Sequence, residues 1–346
     1  MIYYDVTKAA AAGHRSGLTR VNTRLREALG SRAVEVTWNA KHGHFDGMPP
    51  SAIGSVDWLL TTELFSEAER PGFTSFLGRR PCRCAAIFHD AIPLKLPHIT
   101  WPQSVARRPE YLKLLGRFDH VWAVSNASRV DLLGFWRWLG IEQAPTVEVI
   151  ALGADFNRAP RVAGPVTAAA HRFLCVGIVE PRKNQTFLVE VCERLWQEGL
   201  SFELHLVGRT NPHFGEPIVK KIKALQRRFP RHLFFHSAAS DQDLAQLYAT
   251  SRATLFPTLA EGCGLPLLES LWLGVPCICS DLPVLRENSD GGGCVAIPVN
   301  EMEAWKAALR RVLVDDAYHL ELVAAAKSRS LPNWQKTGEV VTETLR

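Results

Sequence analysis

Two glutamates eight residues apart, Glu261 and Glu269, bracket the segment EGCGLPLLE, and the residue types between them suit anion chemistry. A strand-like run, ATLFP (253–257), leads into the segment, and LLESLWLG follows it. Pro266 stands where a helix can begin and Gly274 where it can stop. Gly262, Cys263 and Gly264 therefore form a tight loop feeding a helix N-terminus, an end that carries unpaired N–H groups and a partial positive charge. The glycines let a ligand approach the backbone closely. One carboxylate lies in the loop and the other about a turn inside the helix, so two acceptor-only side chains flank an anion-binding backbone. Such a site suits a molecule with hydroxyls at both ends and phosphate in the middle, as in a sugar nucleotide. The plain alternative is a strand–loop–helix turn with solvated glutamates.

A second candidate lies upstream. In RFLCVGIVEPRKNQ, Arg182 and Lys183 immediately precede a predicted helix starting near Asn184. Cations at a helix N-terminus oppose its dipole, so two of them there make sense if an anion is shared between them and the helix end. The alternative is an exposed basic turn. His89 and Asp90 follow the strand-like run 84–88, at the edge where ligands gather in open α/β sheets. A neutral imidazole there could hydrogen-bond a sugar hydroxyl, or could be a structural histidine at a strand end. Gly13 and Gly17 follow the first strand without forming G-x-G-x-x-G, which removes the best argument for a dinucleotide-dependent oxidoreductase. His42, His44 and the C-x-C pairs Cys82/Cys84 and Cys277/Cys279 lack ligand spacing, so no metal site is expected, and the chain reads as lacking a D-x-D metal pair.

The elements that must position these residues alternate along the chain. Strand-like runs at 1–6, 34–38, 56–61, 84–88, 121–125 and 146–151 are followed by 172–177, 202–208, 233–237, 253–257, 276–280 and 294–298, with helical patterns between. That alternation signifies α/β layers with parallel sheets. The segments 41–51 and 281–293 read as loops, Asn126 as a helix N-cap, and Ser240 or Asp241 as another. The Gly/Pro/Ala-rich stretch 152–166 reads as a linker. At 346 residues and 47% hydrophobic, the chain can bury two cores. A net charge of +5 does not imply a nucleic-acid partner. It is concentrated between Arg70 and Arg117, where nine Lys/Arg face two Asp/Glu; this zone either contacts an anionic membrane surface or lipid-diphosphate acceptor, or is a solvated face. Phe135, Trp136 and Trp138 are either core or a membrane-docking tip. The N-terminus lacks a signal pattern and no apolar run approaches a membrane span. The scattered cysteines read as reduced thiols, so a cytoplasmic location is expected, with a peripheral contact at the inner face of the membrane also open.

The strand, E-G-x-G-L-P-x-x-E and helix together resemble the E-x7-E motif of retaining, nucleotide-sugar-dependent glycosyltransferases of the GT-B fold, group 1. The PRKN stretch resembles their diphosphate-binding segment, and VSNASRVDL (124–132) a further shared stretch. The resemblance implies an α/β protein of two Rossmann-like domains with a donor/acceptor cleft between them: residues 1–155 plus 331–346 on the acceptor side, and 156–330 binding the nucleotide sugar. It implies that Lys183 and Arg182 neutralise the diphosphate with help from Gly264 and Leu265, that Glu269 accepts ribose hydroxyls, and that Glu261 accepts hydroxyls of the transferred sugar. Gly208 and Ser237 would flank the nucleobase, His89 would approach the donor sugar, and Gly17 would face the donor, with Ser16 where the commoner second glycine stands. The implied reaction is metal-independent, retaining hexosyl transfer, without a cofactor, from a GDP- or UDP-linked sugar to a glycan or lipid-linked acceptor in surface-polysaccharide or O-antigen synthesis. A non-catalytic nucleotide-sugar-binding subunit of a glycan-assembly complex is the reading from another class.

Overall fold

The computed structural model describes residues 1–11, 17–49, 56–155, 158, 160–161 and 171–346. These form two compact units, 1–153 with 332–346, and 154–331. In chain order the first unit runs β1 (Ile2–Asp5), α1 (Thr7–Ala11), α2 (Gly17–Leu29), β2 (Ala33–Asn39), β3 (His44–Asp46), β4 (Trp58–Thr61), α3 (Phe73–Arg79), β5 (Arg83–Phe88), α4 (Ile92–Lys95), α5 (Pro102–Leu115), β6 (His120–Ala123), α6 (Asn126–Trp138) and β7 (Thr146–Val149). The second runs β8 (Arg172–Val176), α7 (Gln185–Gln197), β9 (Glu203–Val207), α8 (Gly215–Arg228), β10 (Leu233–His236), α9 (Asp241–Thr250), β11 (Ala253–Phe256), α10 (Leu265–Trp272), β12 (Cys277–Ser280), α11 (Pro283–Ser289), β13 (Cys294–Ile297), α12 (Met302–Val314) and α13 (Asp316–Ser328). The chain then returns to the first unit as α14 (Trp334–Thr344).

Among the described residues the first sheet has seven strands, ordered β3-β2-β1-β4-β5-β6-β7, all parallel except β3 against β2. The second has six, all parallel, ordered β10-β9-β8-β11-β12-β13. Numbered from its own first strand this is 3-2-1-4-5-6, the dinucleotide-fold order. Central strands such as β4, β6, β11 and β12 are buried at every residue, because helices cover both faces of a parallel sheet. Each unit has its own core. Trp38, Phe45, Phe65, Phe73 and Phe76 pack edge-on in the first, and Phe173, Trp196, Phe202 and Trp305 anchor the second. The last helix docks on α2, and Thr337 Oγ1 donates to the Ala151 carbonyl at 2.9 Å.

Several expectations change. The segment 41–51 contributes β3, whose Phe45 is buried beside Trp38. The segment 281–293 contains helix α11. The α6 cap is Ser125 rather than Asn126: the Ser125 hydroxyl accepts from Ser128 N at 3.0 Å, one residue earlier than expected. Trp136 is core, its indole N–H donating to Leu112 O at 2.8 Å, whereas Trp138 is 78% exposed. The basic zone is not one surface. Arg70 and Arg108 are buried, and the exposed Arg80 and Lys95 pair with Asp119 and Asp131. All eight cysteines are free thiols. Among the described residues no helix is long and apolar enough to cross a membrane.

Candidate functional site

The order of the second sheet reverses between β8 and β11, so the loops leaving their C-terminal ends diverge and leave a crevice. Those loops carry the two sequence candidates. After β8 the chain passes through a short 3-10 turn, Pro181–Lys183. Asn184 then adopts the left-handed conformation (φ 57°) that asparagine tolerates, and α7 begins. After β11 the loop runs through Thr258 and Glu261 to Gly264, which caps α10 at φ 85°. A Cβ on Gly264 would meet Leu285 Cδ2 at 2.7 Å, so glycine is required both for its backbone and for its lack of bulk.

The structure brings Glu261, Lys183 and Arg182 together. Glu261 Oε1 accepts from Lys183 Nζ at 2.5 Å, from Arg182 Nη1 at 3.0 Å and from the Thr258 hydroxyl at 2.8 Å. Arg182 also donates to Ala260 O (2.8 Å) and pairs with Glu180 (2.7 Å). Leu259 N donates to Arg182 O at 2.8 Å, and Asn184 Nδ2 to Pro257 O at 3.1 Å, so the loops are stitched by backbone as well as charge. Burial alone would push the Glu261 carboxyl up; Lys183 and Arg182 outweigh it and hold the group below the usual carboxylate range. Burial pulls the Lys183 ammonium down, with Glu261 opposing. The anion expected to be shared by Arg182 and Lys183 is thus, in this structure, the chain's own Glu261. A ligand phosphate would have to share these cations with that carboxylate.

Other candidates fall around this cluster. Glu269 lies on α10 but is buried, with the Tyr248 hydroxyl at 3.5 Å from its Oε2. Gly262 is buried and Cys263 half-buried; burial pushes the Cys263 thiol up to about 12, so it is no nucleophile near neutrality. The Cys263 carbonyl accepts from Asn288 Nδ2 at 2.6 Å, and Leu265 opens α10. Gly208, just after β9, lies so close to Gly177 that a Cβ there would fall 1.9 Å from the Gly177 carbonyl oxygen. Ser237 follows β10 and is exposed. Asp241-Gln242-Asp243 is a literal D-x-D, which corrects the expectation that the chain lacks one. Asp243, however, completes a capping box with Ser240 at the start of α9. Among the described residues no group of three His, Cys, Asp or Glu is placed to hold a metal.

Sequence reasoning missed Thr258, Glu180, Tyr248 and Asn288. Thr258, three residues before Glu261, had a local signal in its reach to its own loop. Tyr248 and Asn288 had none, because they reach the site from other elements.

The first unit holds His89 and Gly17. His89 is buried, and its Nε2 donates to the Thr62 carbonyl at 2.9 Å, so the neutral ring keeps a lone pair on Nδ1. Burial lowers its pKa, against the Thr62 hydrogen bond and Asp90. Gly17 is exposed at the start of α2, and a Cβ there would have nothing within 4 Å; Gly13 and Ser16 lie outside the described residues. A buried network that sequence spacing did not suggest sits nearby. Arg70 donates to Asp5 Oδ2 at 2.6 Å and also to Glu63, while Glu63 accepts the amides of Lys8 and Ala9 at 2.7 and 2.9 Å.

Two Rossmann-like parallel-sheet units, one with a cation–carboxylate cluster at its switch point, define a fold of the GT-B class. Residues 168–329 match the family described as Glycosyl transferases group 1. It is 30% identical over 263 residues to the serotype-specific mannosyltransferase WbdA of Escherichia coli, covering 71% of this chain and 32% of that protein. It is 32% identical over 252 residues to the O-antigen chain mannosyltransferase B of Escherichia coli, covering 70% and 64%. The chain therefore spans about a third of the length of the former relative. Sucrose-phosphate synthase from Thermosynechococcus elongatus shares the fold at a TM-score of 0.74 and 17% identity, covering 99% of this chain and 97% of that one.

Proposed function

We propose that this chain transfers a hexosyl group, mannosyl in the first instance, from a nucleoside-diphosphate sugar (GDP- or UDP-linked) to a glycan or lipid-linked acceptor in bacterial surface-polysaccharide synthesis. The observation that carries the reading is the meeting of Glu261, Lys183 and Arg182 at the switch point of the second sheet. The names of the mannosyltransferase relatives support the sugar class. In this reading the bond between the anomeric carbon and the phosphate oxygen breaks and one to the acceptor oxygen forms. The acceptor proton leaves with the diphosphate, and the anomeric configuration is retained. Negative charge builds on the leaving phosphate, where Lys183 and Arg182 stabilise it, and preorganised cations act where charge develops. Glu261, relieved of part of its cation load, takes hydroxyls of the transferred sugar. The same charge supply makes a divalent metal unnecessary. Peripheral attachment to the inner membrane face belongs to the same reading and rests on the exposed Arg79, Lys113, Arg117 and Trp138.

The test is transfer from GDP-mannose and UDP-glucose to oligosaccharide acceptors, with Lys183→Ala beside the wild type. Loss of transfer together with weakened nucleoside-diphosphate binding, in a folded variant, is expected. Wild-type turnover by Lys183→Ala would sink the site. Donor binding by the wild type with neither transfer nor donor hydrolysis would make the chain a non-catalytic binding subunit.

A further inference from the structure

A second carboxylate stands beside the cation cluster. Glu180, two residues before Arg182 in the loop after β8, has a side chain only 15% exposed. Its Oε1 pairs with Arg182 Nη2 at 2.7 Å, and its Oε2 accepts from Asn211 Nδ2 at 2.9 Å. Asn211 lies in the loop between β9 and α8. Its Oδ1 accepts the amides of His213 and Phe214 at 2.9 and 3.3 Å, and this assigns the amide nitrogen to the side facing Glu180. Backbone joins the same two loops: Val179 N donates to Arg209 O at 2.9 Å and Asn211 N to Val179 O at 3.0 Å. On the other side, Arg182 Nη1 donates to Ala260 O and Glu261 Oε1 in the loop after β11. Loops after β8, β9 and β11 thus converge on one guanidinium.

An anion 2.7 Å from a cation that is to bind diphosphate weakens that cation's hold on the ligand. The compensating gain is direction. A guanidinium is a planar fork, and its hydrogen bonds to a phosphate require a defined plane. Donors lower a barrier when they are already aimed at the place where charge develops. Glu180 and Ala260 O grip different nitrogens of Arg182. Together they fix its plane whether Nη1 meets Glu261 or a ligand oxygen. We propose that Glu180, held by Asn211, is a positioning residue: it sets the plane of Arg182 toward the departing diphosphate and acts on transfer through that guanidinium. The same contact ties the loop after β9 to the cation. This point rests on the transfer reaction proposed above.

The test is steady-state transfer by the full chain from whichever of GDP-mannose and UDP-glucose the wild type uses, with titration calorimetry of GDP or UDP to match. Glu180→Ala should lower kcat at least about tenfold, since a small misplacement of a catalytic group carries that loss. Its nucleoside-diphosphate affinity should equal or exceed the wild type's, because a carboxylate competing for Arg182 is gone. Two further substitutions separate direction from charge. Glu180→Gln keeps the reach and loses the charge, whereas Glu180→Asp keeps the charge and falls one methylene short. Glu180→Gln should turn over at least about threefold faster than Glu180→Asp. Adding Asn211→Asp to Glu180→Gln reverses donor and acceptor within the side-chain pair and restores its hydrogen bond, so the double variant should outpace Glu180→Gln alone. These comparisons hold even if Glu180→Ala fails to fold. Wild-type kcat in Glu180→Ala overturns the proposal, as does turnover by Glu180→Asp equal to or above that of Glu180→Gln. A parallel fall of kcat and nucleotide affinity also overturns it, because that pattern marks general damage to the site. Wild-type protein that binds no nucleoside diphosphate would instead end the transfer reading, and this proposal with it.

Discussion

Replacing Glu261 with glutamine should tighten nucleoside-diphosphate binding while abolishing transfer, two effects of opposite sign from one carboxylate. Oε1 receives Lys183, Arg182 and Thr258 at 2.5, 3.0 and 2.8 Å. Removing one partner of a buried ion pair costs about 3–5 kcal/mol. The lower end applies, because Arg182 keeps Glu180 and is 21% exposed. For a unit of this size about 3 kcal/mol corresponds to a fall of roughly 6–12 °C in melting temperature. Lys183 then has no carboxylate competing with the diphosphate, and Arg182 has only Glu180. One hydrogen bond to a charged group contributes about 1.5–3 kcal/mol, so GDP or UDP should bind about ten- to a hundredfold tighter. Because ligand binding to the folded state adds stability, the nucleotide should also restore most of the lost melting temperature. Calorimetric titration of wild type and Glu261→Gln, with thermal melts with and without nucleotide, measures both. Equal or weaker nucleotide binding by the variant would refute the idea that Glu261 and the diphosphate share these cations.

Two further perturbations test the scaffold and the neighbouring unit. Gly208→Ala places a methyl 1.9 Å from the Gly177 carbonyl oxygen, and Gly264→Ala places one 2.7 Å from Leu285 at φ 85°. Gly208→Ala should therefore be the more damaging, since backbone cannot yield as a leucine methyl can; a thermal melt that ranks them the other way contradicts the geometry. Burial, reinforced by Asp5 and opposed by Arg70, raises the Glu63 pKa from the ordinary 4.5 to about 7. A raised folded-state pKa means a contribution to stability that is full below about pH 4.5 and lost as pH rises through 7. Glu63→Gln should accordingly gain on the wild type between pH 4.5 and 8, by up to about 3 kcal/mol. A difference independent of pH would show that Glu63 does not titrate there.

The alternation of strand-like runs was readable because a strand covered on both faces is a short continuous apolar stretch; twelve of the described strands lie at such runs, although β2 and β7 are partly exposed. The exception, β3, is short and polar at both ends, and only its Phe45 reaches the core. Helix α11 was hidden by its Gly- and Asp-rich flank, and the Ser125 cap by the equal capping power of its neighbour Asn126. The approach of Lys183 to Glu261, 78 positions apart, was anticipated only as convergence on a common ligand. That they bind each other was not legible, because spacing along a chain says nothing about which partner a charge takes across a sheet. The same holds for Arg70: in sequence it is one member of a basic run, in space it is buried between Asp5 and Glu63.

The order of residues alone determined the layered α/β architecture and the glycine-led start of α10, since periodicity and backbone conformation are local properties. Folding decided the rest. It set the strand order that puts the loops after β8 and β11 side by side, the approach of Lys183 and Arg182 that holds the buried Glu261 ionised, and the two donors on α5, Arg108 Nη1 and Tyr111 Oη, left without a partner among the described residues. Those depend on distances between segments remote in sequence, and electrostatics and desolvation act through such distances, not along the chain.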